Sequence, residues 1–278
     1  FGRWAGLVGA YNGIRAYGIQ SGRFSLPKAI ECRDLKEMLD HAKSADLPDD
    51  FRIVLTGSGR VGQGALEVLE HMKLRGVHKD DFLRMDFPDP VYVHLDVGDY
   101  NERIDGQPFD YAEFVDDATG YQSTFMPFGQ RADLFIAGHF WADGSPFLFN
   151  REDMRDPAWS VKVVADISCD IDGPVACTVR PSTIADPLYG YNPVTESECA
   201  LDYPGAITVM AVDNLPCELP RDASEGFGRE LMEHVIPLLI AGDDDGILHA
   251  ASETTLTGEL NAPFAYLAEY AANVGKSQ

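Results

Sequence analysis

The sequence predicts an α/β fold: a doubly wound, mainly parallel sheet with flanking helices on both faces. Short apolar segments of strand length alternate with longer segments of helical periodicity, as in a parallel sheet with crossover helices. One junction between such a strand and a helix is rich in glycine. The strand-like segments are residues 51–55, 76–77, 91–95, 134–137, 161–165 and 206–212.

Two helices are predicted before the first long strand. Residues 4–17 combine small and apolar side chains, which suits a helix packed tightly against another element. Residues 34–45 place Leu35, Met38 and Leu39 on one face, as in an amphipathic helix. Both helices are therefore expected to cover part of the sheet.

The first long strand leads into the turn G-S-G-R-V-G at residues 57–62. In such a motif Gly57 permits the tight turn, Gly59 lets the backbone approach a pyrophosphate, and Gly62 allows close packing of helix on strand. The N-terminus of the following helix then faces the phosphate charge. This context predicts a Rossmann-type dinucleotide-binding domain, whose phosphate contacts are Gly57, Ser58, Gly59, Arg60, Val61 and Gly62.

The residue after the second strand of such a domain selects the cofactor. An acid there binds the 2′-hydroxyl of the ribose, whereas a basic residue accepts a 2′-phosphate. If that strand ends at Val77, His78 and Lys79 follow and favour NADP(H); if it ends at Leu95, Asp96 favours NAD(H). We expect NADP(H) to be preferred, with NAD(H) as the alternative.

Other strand ends carry polar residues that belong at the same edge of the sheet. Residues 166–173 supply three carboxylates, of which Asp170 and then Asp172 are predicted to be catalytic, holding a substrate ammonium or the nicotinamide ribose. An aspartate that caps loop amides is the competing interpretation. No metal is expected, because no histidine is near these acids in sequence. Further predicted cofactor contacts are Gly138, His139, Asn214 and Leu215.

Helical periodicity returns near the end of the chain, at residues 224–240 and 256–270. We therefore predict three parts. They are a connector helix with an amphipathic helix at 1–50, the dinucleotide-binding domain at 51–220, and C-terminal helices at 221–278 that pack back toward a missing N-terminal domain.

Composition narrows the class of protein. The net charge is −23, from 22 basic and 45 acidic residues, which argues against nucleic acid as a partner and suggests a surface adapted to high salt. The five cysteines include no C-x-x-C pair, which disfavours a zinc site or a disulfide framework. No apolar run is long enough to span a bilayer. We expect an acidic, cytoplasmic protein with no membrane partner.

Five segments together resemble the lysine-2-oxoglutarate reductase and saccharopine dehydrogenase family, itself related to alanine dehydrogenase and transhydrogenase. The resemblance covers nearly the whole chain. The segments are FGRWAGLVGA at 1–10, LTGSGRVGQGA at 55–65, DISCDIDG at 166–173, PSTIADPLY at 181–189 and VDNLPCELPRDAS at 212–224.

The resemblance implies a nicotinamide-dependent oxidoreductase acting on CH–NH bonds. In the reductase branch an amino acid's amine condenses with 2-oxoglutarate, and a hydride reduces the imine to saccharopine. Asp170 matches the catalytic aspartate of alanine dehydrogenase, and Asn214 matches an asparagine beside the nicotinamide. Family members usually carry an N-terminal substrate domain with a catalytic lysine and histidine. This chain is expected to start after that domain, and so to bind cofactor without turnover.

Two alternatives stay open at the level of sequence. One is reductive amination of a small oxo acid, as in alanine dehydrogenase, since substrate selectivity resides largely in the domain expected to be absent. The other is a nucleotide-binding module that has lost catalysis. The expected partners are amino acid and oxo acid substrates, and a second copy of the chain if truncation leaves apolar faces exposed.

Overall fold

The computed structural model describes residues 1–142 and 144–273, in two compact units, Phe1–Ala223 and Ser224–Gln278. The first unit contains an eight-stranded main sheet and a small two-stranded sheet. Its strands are β1 (Arg52–Thr56), β2 (Arg75–Gly76), β3 (Val91–Leu95), β4 (Asn101–Arg103), β5 (Tyr121–Ser123), β6 (Leu134–Ala137), β7 (Val163–Asp166), β8 (Leu188–Asn192), β9 (Ser197–Cys199) and β10 (Ile207–Met210). The α-helices of the first unit are α1 (Gly2–Ser21), α2 (Leu35–Lys43), α3 (Arg60–His71), α4 (Lys79–Arg84), α5 (Tyr111–Asp116) and α6 (Met126–Gly129).

The main sheet has eight strands in the order β2-β3-β1-β6-β7-β10-β8-β9. The first six in this order run parallel, and β8 and β9 complete the sheet as an antiparallel hairpin. The predicted α/β class and mainly parallel sheet are confirmed. The β8–β9 hairpin was not predicted.

The order of strands decides which one is the neighbour of β1. That neighbour is β3, which pairs with β1 from Arg52 opposite Val91 to Thr56 opposite Leu95. The two-residue strand β2 lies on the far side of β3, at the edge of the sheet. The end of β3, rather than that of β2, is therefore next to the glycine turn.

Helices α1 and α3 pack against each other on one face of the sheet. A Cβ atom on Gly6 would lie 1.9 Å from the Val61 carbonyl oxygen, and one on Gly64 would lie 2.1 Å from that of Arg3. Only glycine permits so close an approach of two helix backbones. The small residues of the predicted first helix thus have a packing role.

The other face is covered differently. The described chain from β6 to β7 is mostly irregular, and its Phe149 packs in an aromatic cluster with Phe125, just before α6, and Phe135, within β6. The short helices α4 and α6 contribute Phe82 and Phe128 to the same core. Large aromatic side chains here supply buried area that a crossover helix would otherwise provide.

The second unit contains several short helical segments among its described residues. Helix α7 (Pro220–Glu230) begins in the first unit and continues as a π-helical turn at Leu231–Val235, then as α8 (Ile236–Ala241). The break in the predicted helix at 224–240 comes just before Pro237, which lacks the N–H that an α-helix requires. After α9 (Ile247–Ala251), a 3₁₀ segment at Ala262–Leu267 leads into α10 (Ala268–Asn273).

Among the described residues, no helix combines the length and apolar character needed to cross a bilayer.

Candidate functional site

The glycine turn lies between β1 and α3 and owes its shape to two close backbone contacts. Gly57 has φ of +96°, and a Cβ atom there would lie 2.3 Å from the Gly138 carbonyl oxygen. A Cβ atom on Gly62 would lie 1.7 Å from the carbonyl oxygen of Gly57. Neither position can carry a side chain without moving backbone, so these glycines fix the turn.

Gly59 differs from its two neighbours in the motif. A Cβ atom built there meets no other atom within 4 Å, and the residue is the N-cap of α3, a helix of 12 residues. Ser58, Gly59 and Arg60 are exposed. Open space therefore lies directly over the free amides of a helix N-terminus, where an anion is favoured by both hydrogen bonding and the helix dipole.

The end of β3 supports this turn through two hydrogen bonds. His94 Nε2 lies 2.8 Å from the Gly57 carbonyl oxygen, and Ser58 Oγ donates to Asp96 Oδ1 at 2.8 Å. Asp96 is exposed and directly follows β3. The structure thus brings Asp96, one of the two alternatives for ribose recognition, onto the glycine turn.

His78 and Lys79, the other alternative, follow the edge strand β2. His78 is the N-cap of α4 and accepts a bond from the Asp80 amide through Nδ1. The Lys79 ammonium forms an ion pair with Asp99. Both side chains therefore have partners within their own part of the fold.

His139 follows β6 and is buried, with 6% of its surface exposed. Its Nδ1 lies 2.8 Å from Thr56 Oγ1, whereas Nε2 has no partner among the described residues. Burial lowers the pKa of the imidazole to about 4, so the ring is neutral near pH 7. A buried, unpaired ring nitrogen is costly unless a bound molecule or a water satisfies it.

His139 also lines a cavity of about 280 Å³ at the carboxyl edge of the sheet. Its walls come from the turn after β3, from α5 and from the segment after β6, and they are mainly aromatic and apolar. The described lining residues are Val97, Tyr100, Asn101, Tyr111, Phe114, Val115, His139, Phe140, Trp141, Ala142, Ser145, Pro146 and Leu148. The cavity suits a small flat ring with a polar edge.

The loop after β7 is organised by Asp166 rather than by glycine. The Asp166 carboxylate is fully buried and accepts bonds from Ser168 Oγ at 2.6 Å, the Cys169 amide at 3.1 Å and Thr178 Oγ1 at 2.6 Å. Burial raises its pKa, and these bonds act in the opposite direction. The competing interpretation, an aspartate that caps a loop, therefore describes Asp166.

Asp170 and Asp172 have different surroundings within that loop. Asp170 is half-buried, and burial raises the pKa of its carboxyl group. Asp172 is exposed, has φ of +52°, and forms an ion pair with Arg151 at 2.9 Å. The only partner for Asp172 among the described side chains is thus a cation, and its carboxylate is less available than that of Asp170.

Asn214 and Leu215 lie in the loop after β10. Asn214 is exposed and precedes the 3₁₀ turn Leu215–Glu218, while Leu215 is buried beside Gly9 of α1. A ligand could therefore reach the side chain of Asn214 but only the backbone of Leu215. In the same turn, Glu218 is buried and accepts a bond from Asn12 Nδ2 at 2.8 Å.

Neither His94 nor the aromatic cavity has a signal in the sequence. His94 lies inside an apolar strand, and only the pairing of β3 with β1 shows that its ring reaches Gly57. The cavity joins residues up to 51 positions apart in sequence, Val97 to Leu148, which no local pattern reports. The described residues contain no group of three or more His, Cys, Asp or Glu placed to hold a metal ion.

Comparison with known proteins gives related sequences. No protein-family model matches the chain. The mitochondrial alpha-aminoadipic semialdehyde synthase of Mus musculus is 24% identical over 286 residues, which cover 87% of this chain and 30% of that protein. The NAD(+), L-lysine-forming saccharopine dehydrogenase of Emericella nidulans is 24% identical over 74% of this chain and 46% of its own length. The enzyme of that name from Schizosaccharomyces pombe is 27% identical over 69% of this chain and 42% of its own.

An L-alanine dehydrogenase structure aligns with 94% of this chain and 58% of its own, at 16% identity and a TM-score of 0.46. The chain spans 30% of the length of the mouse relative and less than half of the fungal ones. The sequence matches confirm the resemblance found from the five segments. The chain is therefore similar to part of alpha-aminoadipic semialdehyde synthase and of the saccharopine dehydrogenases, which are named as enzymes of amino acids.

Proposed function

We propose that this chain binds a nicotinamide dinucleotide and acts as the cofactor domain of a saccharopine-forming oxidoreductase. The observation that carries the proposal is the open space at Gly59, over the N-terminus of α3, between two glycines that have no space at all. That arrangement admits a pyrophosphate and holds the turn rigidly around it. The names of the fungal relatives include NAD(+), which supports a nicotinamide dinucleotide, and describe the L-lysine-forming direction, the reverse of saccharopine formation.

The rest of the edge fits the remaining parts of a dinucleotide. Asp96, held by Ser58, would accept a bond from the adenosine ribose. The aromatic cavity would take the adenine ring, and the unpaired Nε2 of His139 would gain a polar partner on that ring. Binding of adenine would thus account both for the unpaired Nε2 of His139 and for the apolar cavity beside it.

The contacts favour NAD(H) over NADP(H). Asp96 lies at the end of the strand next to β1, and its charge would repel a 2′-phosphate. The Lys79 ammonium, which the sequence analysis assigned to that phosphate, is paired with Asp99. We therefore propose NAD(H) as the preferred cofactor.

The substrate end would lie at the loops after β7 and β10. The nicotinamide supplies or accepts the hydride when it is bound. Asp170 would hold the substrate ammonium or iminium near it, and Asn214 would fix the nicotinamide amide or ribose. Asp172 ranks below Asp170 because Arg151 already neutralises it.

Two further parts of the proposal concern the surroundings of the protein. All five cysteines are free thiols, as expected in a reducing cytoplasm. The charge of −23 also suggests a surface adapted to high salt. The melting temperature should therefore rise from dilute buffer to molar KCl, and a constant or falling value would exclude that adaptation.

Calorimetric titration of the chain with NADH and then with NADPH, in molar KCl, tests the function. We expect binding at one site, tighter for NADH, and loss of the preference in Asp96→Asn. Asp80→Asn, an exposed acid on α4, is the matched control and should behave as wild type. Tighter binding of NADPH would contradict the proposed role of Asp96. A folded protein that binds neither dinucleotide would favour a module that has lost this function.

A further inference from the structure

We propose that Lys79 is a positioning residue: through Asp99 it holds Asp96 toward the cofactor ribose and so sets the preference for NADH over NADPH. This inference rests on the proposed function. As a ligand for the 2′-phosphate, Lys79 would favour NADPH; as a positioning residue for Asp96, it favours NADH. Both roles place it beside the adenosine ribose.

A continuous series of contacts links Lys79 to the glycine turn. The Lys79 ammonium pairs with Oδ1 of Asp99, and Oδ2 of Asp99 accepts a bond from the Asp96 amide at 2.8 Å. Asp96 Oδ1 in turn accepts bonds from the Val97 amide at 3.0 Å and from Ser58 Oγ at 2.8 Å. One ammonium thus fixes the backbone that aims Asp96.

The two carboxylates form a reciprocal capping box at the start of one 3₁₀ turn, Val97–Asp99, with Asp96 as the N-cap and Asp99 as the third residue of the turn. Each side chain bonds the backbone of the turn, so two negative charges are held within four residues. Without a cation these charges would repel each other and favour opening of the turn. Lys79 offsets that repulsion at Asp99 and leaves Asp96 as the exposed acid.

The pair is shielded more than an ordinary surface ion pair. The Lys79 side chain is 38% exposed and that of Asp99 is 25% exposed, whereas Lys36 and Asp40 on α2 are 82% and 55% exposed. A less exposed pair is screened less by salt and holds its geometry better. The Lys36–Asp40 pair therefore provides a matched control.

The test measures dissociation constants for NADH and NADPH, together with the melting temperature, for Lys79→Met, Asp99→Asn and the double variant. Each single variant should weaken NADH binding about tenfold, the effect of one lost charge-assisted bond, and leave NADPH binding unchanged or tighter. The double variant should lose no more than the singles, since both act through one contact. Lys79→Arg should restore most of the preference, and Lys36→Met should bind both dinucleotides as wild type does.

Three results would overturn the inference while leaving the proposed function in place. They are a selective loss of NADPH binding in Lys79→Met, no change in either dissociation constant, and an equal loss for both dinucleotides with a lower melting temperature. The first would make Lys79 a phosphate ligand, and the third would make it merely structural. A wild-type protein that binds neither dinucleotide would refute the proposed function and this inference with it.

Discussion

The loops that follow β1 and β7 reach the same edge of the sheet but are shaped by opposite means. The loop after β1 takes its form from missing side chains, because Gly57 and Gly62 leave no room for a Cβ atom. The loop after β7 takes its form from a side chain, the buried carboxylate of Asp166 with its three hydrogen bonds. The first leaves backbone amides free, and the second leaves a carboxylate, Asp170, accessible.

This difference separates two tasks. A pyrophosphate needs free N–H groups, which a glycine turn at a helix N-terminus provides. A substrate ammonium needs a fixed carboxylate, which a loop held by a second, buried carboxylate provides. In each loop the residues that fix the shape are distinct from those left to meet a ligand.

The largest effect is expected in the glycine turn. In Gly62→Ala the new Cβ atom would lie 1.7 Å from the Gly57 carbonyl oxygen, so backbone must move. We expect the free energy of unfolding to fall by about 3 kcal/mol or more, beyond the usual range for overpacking because the clash is with backbone. Urea denaturation measures this. Gly59→Ala, whose Cβ meets nothing, is the control, and equal losses in the two variants would contradict the account.

A somewhat smaller loss is expected in the aspartate loop. Asp166→Ala removes the acceptor of two hydroxyls, that of Thr178 fully buried, and of one amide, and should cost about 2 to 3 kcal/mol of unfolding free energy. Asp172→Ala breaks an ion pair whose aspartate is 67% exposed, and should cost less than about 1 kcal/mol. If the two variants unfolded at the same urea concentration, Asp166 would not be the residue that shapes this loop.

Glu218, in the loop after β10, resembles Asp166 in burial, but its carboxylate accepts a bond from just one described side chain, that of Asn12. Burial raises its pKa from 4.5 to about 7, so the folded protein holds this proton over a range where the unfolded chain has released it. The contribution to stability is full below about pH 4.5 and is lost as pH rises to about 7, by at most about 3 kcal/mol. Glu218→Gln should therefore be more stable than wild type at pH 8 and equal to it at pH 4.5.

Denaturation curves at several pH values measure this difference. Glu152→Gln, with a side chain 85% exposed, is the control and should follow wild type throughout. A Glu218→Gln variant that gained nothing at pH 8 would show that Asn12 compensates fully for the burial of the charge.

The sequence predicted the parts of the site that depend on local pattern. The strand at 91–95, the strand at 134–137 and the glycine turn all have periodic or motif signals, and the structure has β3 and β6 at those residues. The sequence-based preference for NADP(H) relied on the strand end at Val77, with the end at Leu95 as the alternative, and the choice depends on which strand pairs with β1. Pairing is a long-range property that periodicity does not carry.

The same limit explains the remaining differences. His94 has no signal in the sequence because its partner, the Gly57 carbonyl oxygen, lies in the turn after another strand, β1. The irregular cover on the second face was expected to be helical, since apolar aromatic residues such as Phe149 do not reveal their backbone conformation. Asp166, Asp170 and Asp172 have one chemistry but three surroundings, and only burial and the position of Arg151 separate them.

The most direct test of the central claim is the affinity for NADH of Gly59→Leu compared with wild type, with the melting temperature of both proteins as the check on folding. A leucine at this position enters open space, so the fold should be unaffected while the side chain fills the place of the pyrophosphate. We expect Gly59→Leu and wild type to have equal melting temperatures, and the variant to bind NADH at least about tenfold more weakly, the equivalent of 1.4 kcal/mol. Unchanged affinity in a folded variant would show that the glycine turn does not hold the cofactor.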